Sequence, residues 1–474
     1  MLFLYTYLKL GLWSMIYYFK PNETVFEIIV NNIKRSGPVL TKFVQWSLPK
    51  IETLYDIEKN EKDNNWFYKL EEVYEKCNFH SLDYTLDKYA SDFHEKFEKT
   101  YDEIEEIASG SIGQVYKIKD KKGNLFAMKI LHPGIGYQIN FFNLLFTIIK
   151  LIKPIHNYIV YYFPIDLHAF IHDFKMQTDF VNEANNILAF SDTYKENKFI
   201  IIPQLYRTSK HIIIMSYEEG ETFDKNKHSD YLNYKTISLL KLFNKKNETI
   251  TNFIHGDLHK GNWKVRIKKS EVKLVILDFG FCWSLPEYIS ENLLFINHVF
   301  MDIIIGDKSG EIDNKHIEEY TKVGWFFSEG RIQHDIIQTE IKKIVDEGNI
   351  SCTDPTFFIR LLLASCRVSK ITMNSYVLNM LIAHIQTDQL YQTLTANNFR
   401  ENDKDYNERY ILFKYFGDLI NFCETNNMFL DYSDYLKSEL EEEKKNRKIK
   451  CDNLFCKNDY LENNEKIKAL CIQD

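Results

Sequence analysis

The chain has 474 residues, 45% of them hydrophobic and 15% aromatic, which suffices for a large core or two lobes and excludes a disordered protein. A net charge of −8 excludes a general basic field for wrapping nucleic acid, so any anionic ligand must be held by a local pocket. The eight cysteines are scattered, and Cys451 and Cys456 lack a second pair or a nearby His cluster, which points to reduced thiols rather than a zinc site.

Residues 1–19, MLFLYTYLKLGLWSMIYYF, form an acid-free apolar run interrupted by Thr6, Lys9 and Ser14. A bilayer span needs about 20 apolar residues and a central Lys costs about 2.5 to 3.5 kcal/mol, so the run is barely long enough. Three readings stay open: a span, an interfacial helix ending in Tyr17, Tyr18 and Lys20, or a core helix. Residues 20–100 alternate apolar and charged positions at helical spacing, punctuated by Pro38 and Pro49.

From Glu103 the period changes. IEEIASGSIGQVYKIKDKKGNLFAMKIL reads as strand, glycine-bearing turn, strand, DKKGN hairpin, strand. In the turn, Ala108, Ser109, Gly110, Ser111 and Gly113 are small enough to let backbone approach phosphate oxygens, with Gln114 following. Lys129 on the third strand can reach the α and β phosphates as a point charge. The run Phe141–Phe163, broken by Lys150, Lys153, Pro154 and His156, predicts two buried helical pieces in a helical stretch from about Asn140 to Phe190. Glu183 in that stretch can pair with Lys129 and fix its ammonium. HIIIMSYEEG then predicts a strand and a Gly-marked link between lobes.

The segment FIHGDLHKGNWKVRIKKSEVKLVILDFGF, Phe253–Phe281, carries the strongest chemical signal. Asp257 precedes Asn262 by five residues, placing a carboxylate for an attacking hydroxyl and a carboxamide oxygen for Mg²⁺. Asp278, in Asp-Phe-Gly, supplies the second metal ligand. The apolar runs VRI and KLVILDF around KKSE predict a β-hairpin that returns the chain to the site. Beyond Pro286 the pattern is helical to about Leu440, and EEEKKNRKIK begins a charged tail. No Ala-Pro-Glu follows at the distance of a protein-kinase activation segment, which disfavours a peptide-docking platform.

About fifty residues separate Lys129 from Glu183, far more than in an ordinary protein kinase. Here the sequence resembles the UbiB/ADCK (aarF-domain) family of atypical kinases. The resemblance rests on Ala108–Val115, on KILHPGI from Lys129 to Ile135, on EANNILAF from Glu183 to Phe190, and on HGDLHKGN from His255 to Asn262. It implies an α+β, two-lobed kinase-like fold with a small antiparallel-sheet lobe, a helical lobe and an N-terminal helical extension. It also implies ATP and Mg²⁺ as cofactors and a lipid or quinone-pathway substrate at a membrane. The expected divisions are a hydrophobic segment at 1–27, the extension at 28–102, the N-lobe at 103–220, the C-lobe at 221–440 and a tail at 441–474.

In the family the extension lies across the site and carries a Lys-x-Gly-Gln signature. Here Lys42 and Gln45 match it and Val44 replaces the Gly. A second signature, Glu-x-Asp, appears as Gln177 and Asp179, so the resemblance implies Asp179 as the carboxylate for Lys42. Lys260 replaces the Pro of the catalytic motif. Two other functions stay open: a small-molecule kinase of aminoglycoside or choline type, whose loop HGDLHKGN also resembles, and a scaffold that binds nucleotide without turnover.

Overall fold

In a computed structural model the chain is described over residues 2–55, 70, 80–249, 251–268 and 271–284, with scattered positions between 366 and 383. The helices expected beyond Pro286, the charged tail and the Cys451–Cys456 pair lie outside the described residues.

Turn chemistry builds the first sheet. Asp120 closes the hairpin between β2 (Gly113–Asp120) and β3 (Leu125–Leu131), its Oδ1 accepting from the amides of Lys122 and Asn124, each at 2.8 Å. Gly123 supplies the positive φ, +86°, that this turn requires. With β1 (Tyr101–Ser109), β5 (Leu205–Thr208) and β6 (Ile212–Ser216) these strands form a five-stranded antiparallel sheet ordered β1-β2-β3-β6-β5. One core forms around Tyr89, Phe97, Tyr116, Met128 and Ile214, where α4 (Leu82–Phe93) covers the sheet. The expected strand–turn–strand–hairpin–strand order is the observed one.

Between β3 and β6 the chain is helical, in four pieces: α5 (Ile135–Leu151), α6 (Lys153–Tyr162), α7 (Leu167–Gln177) and α8 (Phe180–Tyr194). The expected break at Lys153-Pro154 is present, and α5 and α6 meet at 103°. The expectation that both pieces are buried is corrected. Phe142 and Phe146 enter the core, but Leu144, Leu151 and Tyr158 are 60%, 77% and 62% exposed, because a helix apolar all round has one face to give to the protein.

The largest core joins these helices to α9 (Asp230–Thr249) and two small sheets. In one, β8 (Trp263–Lys268) and β9 (Glu271–Ile276) form the expected hairpin, and β9 also pairs in parallel with β4 (Ile200–Ile201). In the other, β7 (Phe253–His255) pairs with β10 (Cys282–Ser284). The link after β6 is pinned to this half: Glu221 and Val265 exchange backbone hydrogen bonds at 2.8 and 2.9 Å, and Arg266 bonds Glu218 at 2.8 Å.

The N-terminal helices α1 (Leu2–Phe19), α2 (Glu23–Arg35) and α3 (Pro38–Tyr55) pack on one another around Phe26, Ile29, Val30, Val44 and Leu48. Val44 therefore fills a small core, which accounts for an apolar residue at the position of the family Gly. Helix α3 docks through Phe43 and Trp46, whose rings lie 5.1 and 5.0 Å from Phe170 of α7. Among the described residues no single helix is long and apolar enough to cross a membrane.

Candidate functional site

Lys129, the fifth residue of β3, points inward and is 6% exposed. Its Nζ donates to both carboxylate oxygens of Glu183 at 2.9 Å and to Oδ2 of Asp278 at 3.0 Å. Glu183 is fully buried one turn into α8. Burial opposes the Lys129 charge, but the Asp278 and Glu183 carboxylates outweigh it and hold the ammonium protonated above the usual lysine range. Burial pushes Glu183 up to about 7 against the pull of Lys129. Burial also opposes ionisation of Asp278, yet Lys129 and the Gly280 amide, which donates to Oδ1 at 3.0 Å, keep it below the usual carboxylate range. One ammonium thus serves two carboxylates, and with both ionised the triad carries a net negative charge that favours a further cation.

The β8–β9 hairpin brings Asn262 beside Asp278, because the Leu277 amide donates to the Asn262 carbonyl at 2.9 Å. The Asn262 side-chain Nδ2 donates to the Asp257 carbonyl at 2.7 Å, which orients the carboxamide and leaves its oxygen available. Asp257, with its side chain 28% exposed, accepts from Lys42 Nζ at 2.5 Å. Burial disfavours its charge, but Lys42 and His259 hold it below the usual range.

Lys42 therefore pairs with Asp257, and its expected pairing with Asp179 is corrected. Asp179 caps α8, accepting from the amides of Val181 and Asn182 at 3.0 and 3.4 Å. A helix start presents several unpaired N–H groups to an adjacent carboxylate, and this local claim prevails over a distant lysine. Gln177 is buried at the end of α7, and Gln45 is half-buried on α3.

The small-residue turn joins β1 to β2, with the Gly110 amide donating to the Gly113 carbonyl at 3.0 Å. Space for an approaching ligand is the expected reason for both glycines. The structure gives Gly113 another: a Cβ there would lie 2.6 Å from the Ile130 carbonyl, so packing of β2 on β3 requires glycine. Gln114 is likewise corrected as a nucleotide contact. It is fully buried, its Oε1 accepting from the His80 amide at 2.8 Å and its Nε2 donating to the Tyr116 hydroxyl at 2.6 Å. Ala108 pairs with Val115 in the ladder, Ser109 lies 3.4 Å from His132 Nε2, and Ser111 is buried in the turn.

Three positioning residues have no individual role in the sequence reading. His132 Nε2 donates to the Gly110 carbonyl at 2.9 Å, Asn186 Nδ2 donates to the Phe279 carbonyl at 2.8 Å, and His255 Nε2 bonds the Asp278 carbonyl. Asn186 and His255 lie inside the quoted motifs, so a polar residue on an otherwise apolar face was the available signal. His132 lies inside a quoted motif too, KILHPGI, where it follows the apolar Ile130 and Leu131.

Comparison with known proteins gives the family. A family model described as an ABC1 atypical kinase-like domain matches residues 72–313, just over half the chain. The probable serine/threonine-protein kinase abkC of Dictyostelium discoideum is 27% identical over 253 residues, covering 52% of this chain and 35% of that protein. AarF domain-containing kinase 1 of Drosophila melanogaster is 26% identical over 212 residues, covering 41% and 39%. The chain thus spans between a third and two-fifths of the length of these two relatives. A solved complex of Rv3197 with erythromycin from Mycobacterium tuberculosis is 15% identical, with a TM-score of 0.42, over 74% of this chain and 87% of that one.

Proposed function

This chain belongs to the ABC1 atypical kinase-like family, the group that also contains the UbiB and ADCK proteins, and on that premise we propose that it is a Mg-ATP-dependent phosphotransferase or ATPase of UbiB type. The single observation that carries the reading is the Lys129–Glu183–Asp278 triad, with Lys129 Nζ within 3.0 Å of both carboxylates. Lys129 is preset to hold nucleotide phosphates, and Glu183 fixes its position.

The donor set fits Mg²⁺. Asp278 offers a carboxylate and Asn262 an oriented carboxamide oxygen, two hard oxygens of the kind that leave remaining positions to phosphate and water. Bound there, the ion would neutralise phosphate charge. Asp257 is the group that would take the proton of an attacking hydroxyl or water, with His255 and Asn186 fixing the backbone around Asp278.

A lipid or quinone-pathway acceptor and a membrane contact through residues 1–19 belong to the same proposal, as does the division of the chain at 28, 103, 221 and 441. A nucleotide-binding scaffold is the second reading, favoured by the engagement of Asp257 with Lys42, which occupies the base in this conformation. The extension reaching the site disfavours an aminoglycoside- or choline-type kinase.

Calorimetry and phosphate release test the reading. Mg-ATP should bind, and Asp278→Asn should weaken it by at least about tenfold, because an amide binds the hard cation less strongly than a carboxylate. Undiminished affinity in Mg²⁺ would remove Asp278 from the site. Binding without phosphate release, with or without lipid, would select the scaffold.

A further inference from the structure

The exposed apolar surface is concentrated rather than scattered. Among the described residues, fifteen of the twenty-one large exposed hydrophobic side chains lie on α1 or in the α5–α6 segment. On α1 they form a stripe, Tyr5, Leu8, Leu12, Met15 and Phe19, each 52% exposed or more. The opposite face, with Tyr7, Leu10, Trp13 and Tyr17, packs on the protein. The α5–α6 segment adds Tyr137, Leu144, Ile148, Leu151, Ile155 and Tyr158. The two parts touch: the Tyr7 ring stacks on Phe141 with centroids 5.6 Å apart and meets Phe142 edge-on at 5.3 Å.

The charge pattern identifies the occupant. Acidic residues number 67 in 474, about one in seven, yet none occurs in residues 1–22 or in the 45 residues from 121 to 165. The same two stretches expose Lys9, Lys150 and Lys153 on these helices and Lys20 just past the end of α1. In a chain of net charge −8, the two stretches that carry its most apolar exposed helices thus contain lysines and no carboxylate of their own. A two-fold dimer through these helices would set those lysines against their own copies with no carboxylate from either stretch between them. An anionic lipid surface satisfies both features, taking the apolar side chains into the headgroup boundary and the ammonium groups onto phosphate.

Geometry selects lying on the bilayer over crossing it. At about 1.5 Å per residue α5 and α6 are roughly 25 and 15 Å long, short of a hydrocarbon core of about 30 Å, and they bend by 103°. We propose that the joined outer faces of α1, α5 and α6 form one docking surface for an anionic bilayer. The proposal extends the membrane contact of residues 1–19 to a second, distant segment, and it does not depend on nucleotide chemistry.

The test is flotation of the full chain with vesicles of phosphatidylcholine alone or with about 30% phosphatidylglycerol. The chain should float with the anionic vesicles and several-fold less with the neutral ones. A variant carrying Leu144→Glu, Leu151→Glu and Tyr158→Glu should lose at least about tenfold of that binding, as should one carrying Leu8→Glu and Leu12→Glu. Lys150→Glu with Lys153→Glu, exposed changes that spare the core, should abolish the preference for anionic lipid. Mg-ATP affinity should be unchanged in all three, which separates failure of this proposal from failure of the nucleotide reading. Flotation unaffected by the α5–α6 changes would overturn the joined surface. So would failure of the folded chain to float, or a dimer that these changes dissociate without any lipid binding.

Discussion

Lys129 is placed so that its two carboxylate partners differ in what they can give up. Glu183 is sealed in the core, whereas the Asp278 side chain is 36% exposed and faces the site. A metal that engages Asp278 would therefore draw it away from Lys129 and leave the Glu183 pair intact. That asymmetry makes the buried pair the structural half of the triad. Removing one member of a buried ion pair strands the other, at a cost of about 3 to 5 kcal/mol, while removing both relieves the stranded charge. Lys129→Met and Glu183→Gln should accordingly destabilise the protein less together than the sum of the single effects, with a coupling of about 0.5 to 3 kcal/mol. Denaturant melts of the four proteins give the cycle, and strict additivity would dissolve the pair. This pairing was legible in the sequence because both residues sit in recognisable motifs. The Lys42–Asp257 pair was not, since its members lie 215 residues apart and the competing carboxylate, Asp179, is claimed locally by a helix start.

At the scale of elements, the small-residue turn between β1 and β2 is fastened to His80, just before α4, by a polar chain whose direction is fixed. His132 donates from Nε2 to the Gly110 carbonyl, so its Nδ1, 2.9 Å from His80 Nδ1, must accept. His80 then donates from Nδ1 and accepts at Nε2 from Thr85, 3.0 Å away. Thr85 in turn accepts from Tyr116 at 2.8 Å, and Tyr116 accepts from Gln114. Every group is satisfied only while both rings are neutral. Burial, with His132 alongside, lowers His80 to about 4, and burial also lowers His132 and His255. Among the described residues the other titratable groups against the pair are Tyr84, whose ring meets His80 edge-on, and Tyr116. The sign follows. These histidines bind protons more readily unfolded, near pH 6.5, than folded, so their contribution is complete above that pH and is lost progressively as pH falls from 6.5 toward 4. The melting temperature should drop by several degrees between pH 7.5 and 5. His80→Gln with His132→Gln should flatten that slope, though only in part because His255 remains. An unchanged slope would remove the pair as its source.

Much of this element-level order could be read in advance. Strand alternation and the Asp-Lys-Lys-Gly-Asn turn specify β2 and β3, and the polar KKSE between apolar runs specifies the β8–β9 hairpin, because register and turn chemistry are local. What α5 and α6 bury was not legible, since a helix apolar all round carries no period to say which face meets the protein. Gln114 shows the same limit within a strand. Its motif marks it as part of the nucleotide turn, but the neighbours that claim its amide, His80 and Tyr116, become evident only in three dimensions.

For the whole molecule, the extension and the half that carries Asp257 and Phe170 meet at two places with different chemistry. One is the ion pair of Lys42 with Asp257, and the other is the aromatic contact of Phe43 and Trp46 with Phe170. The aromatic contact holds α3 in place, and the ion pair decides what Asp257 can do. Burial favours the neutral acid at Asp257, and Lys42 is the largest influence opposing it. Lys42→Ala should therefore raise the Asp257 pKa, move the acid limb of phosphate release to higher pH and free the base, with the rate at pH 8 rising several-fold. Trp46 sits in the same core as Phe170, and Trp46→Ala should cost about 3 to 5 kcal/mol of stability. If docking of α3 is what delivers Lys42 to Asp257, Trp46→Ala should shift the acid limb in the same direction as Lys42→Ala, and adding it to Lys42→Ala should produce no further shift. Additive shifts would show that Trp46 reaches the site by another route, and a limb unmoved in Lys42→Ala would remove Asp257 as the proton acceptor.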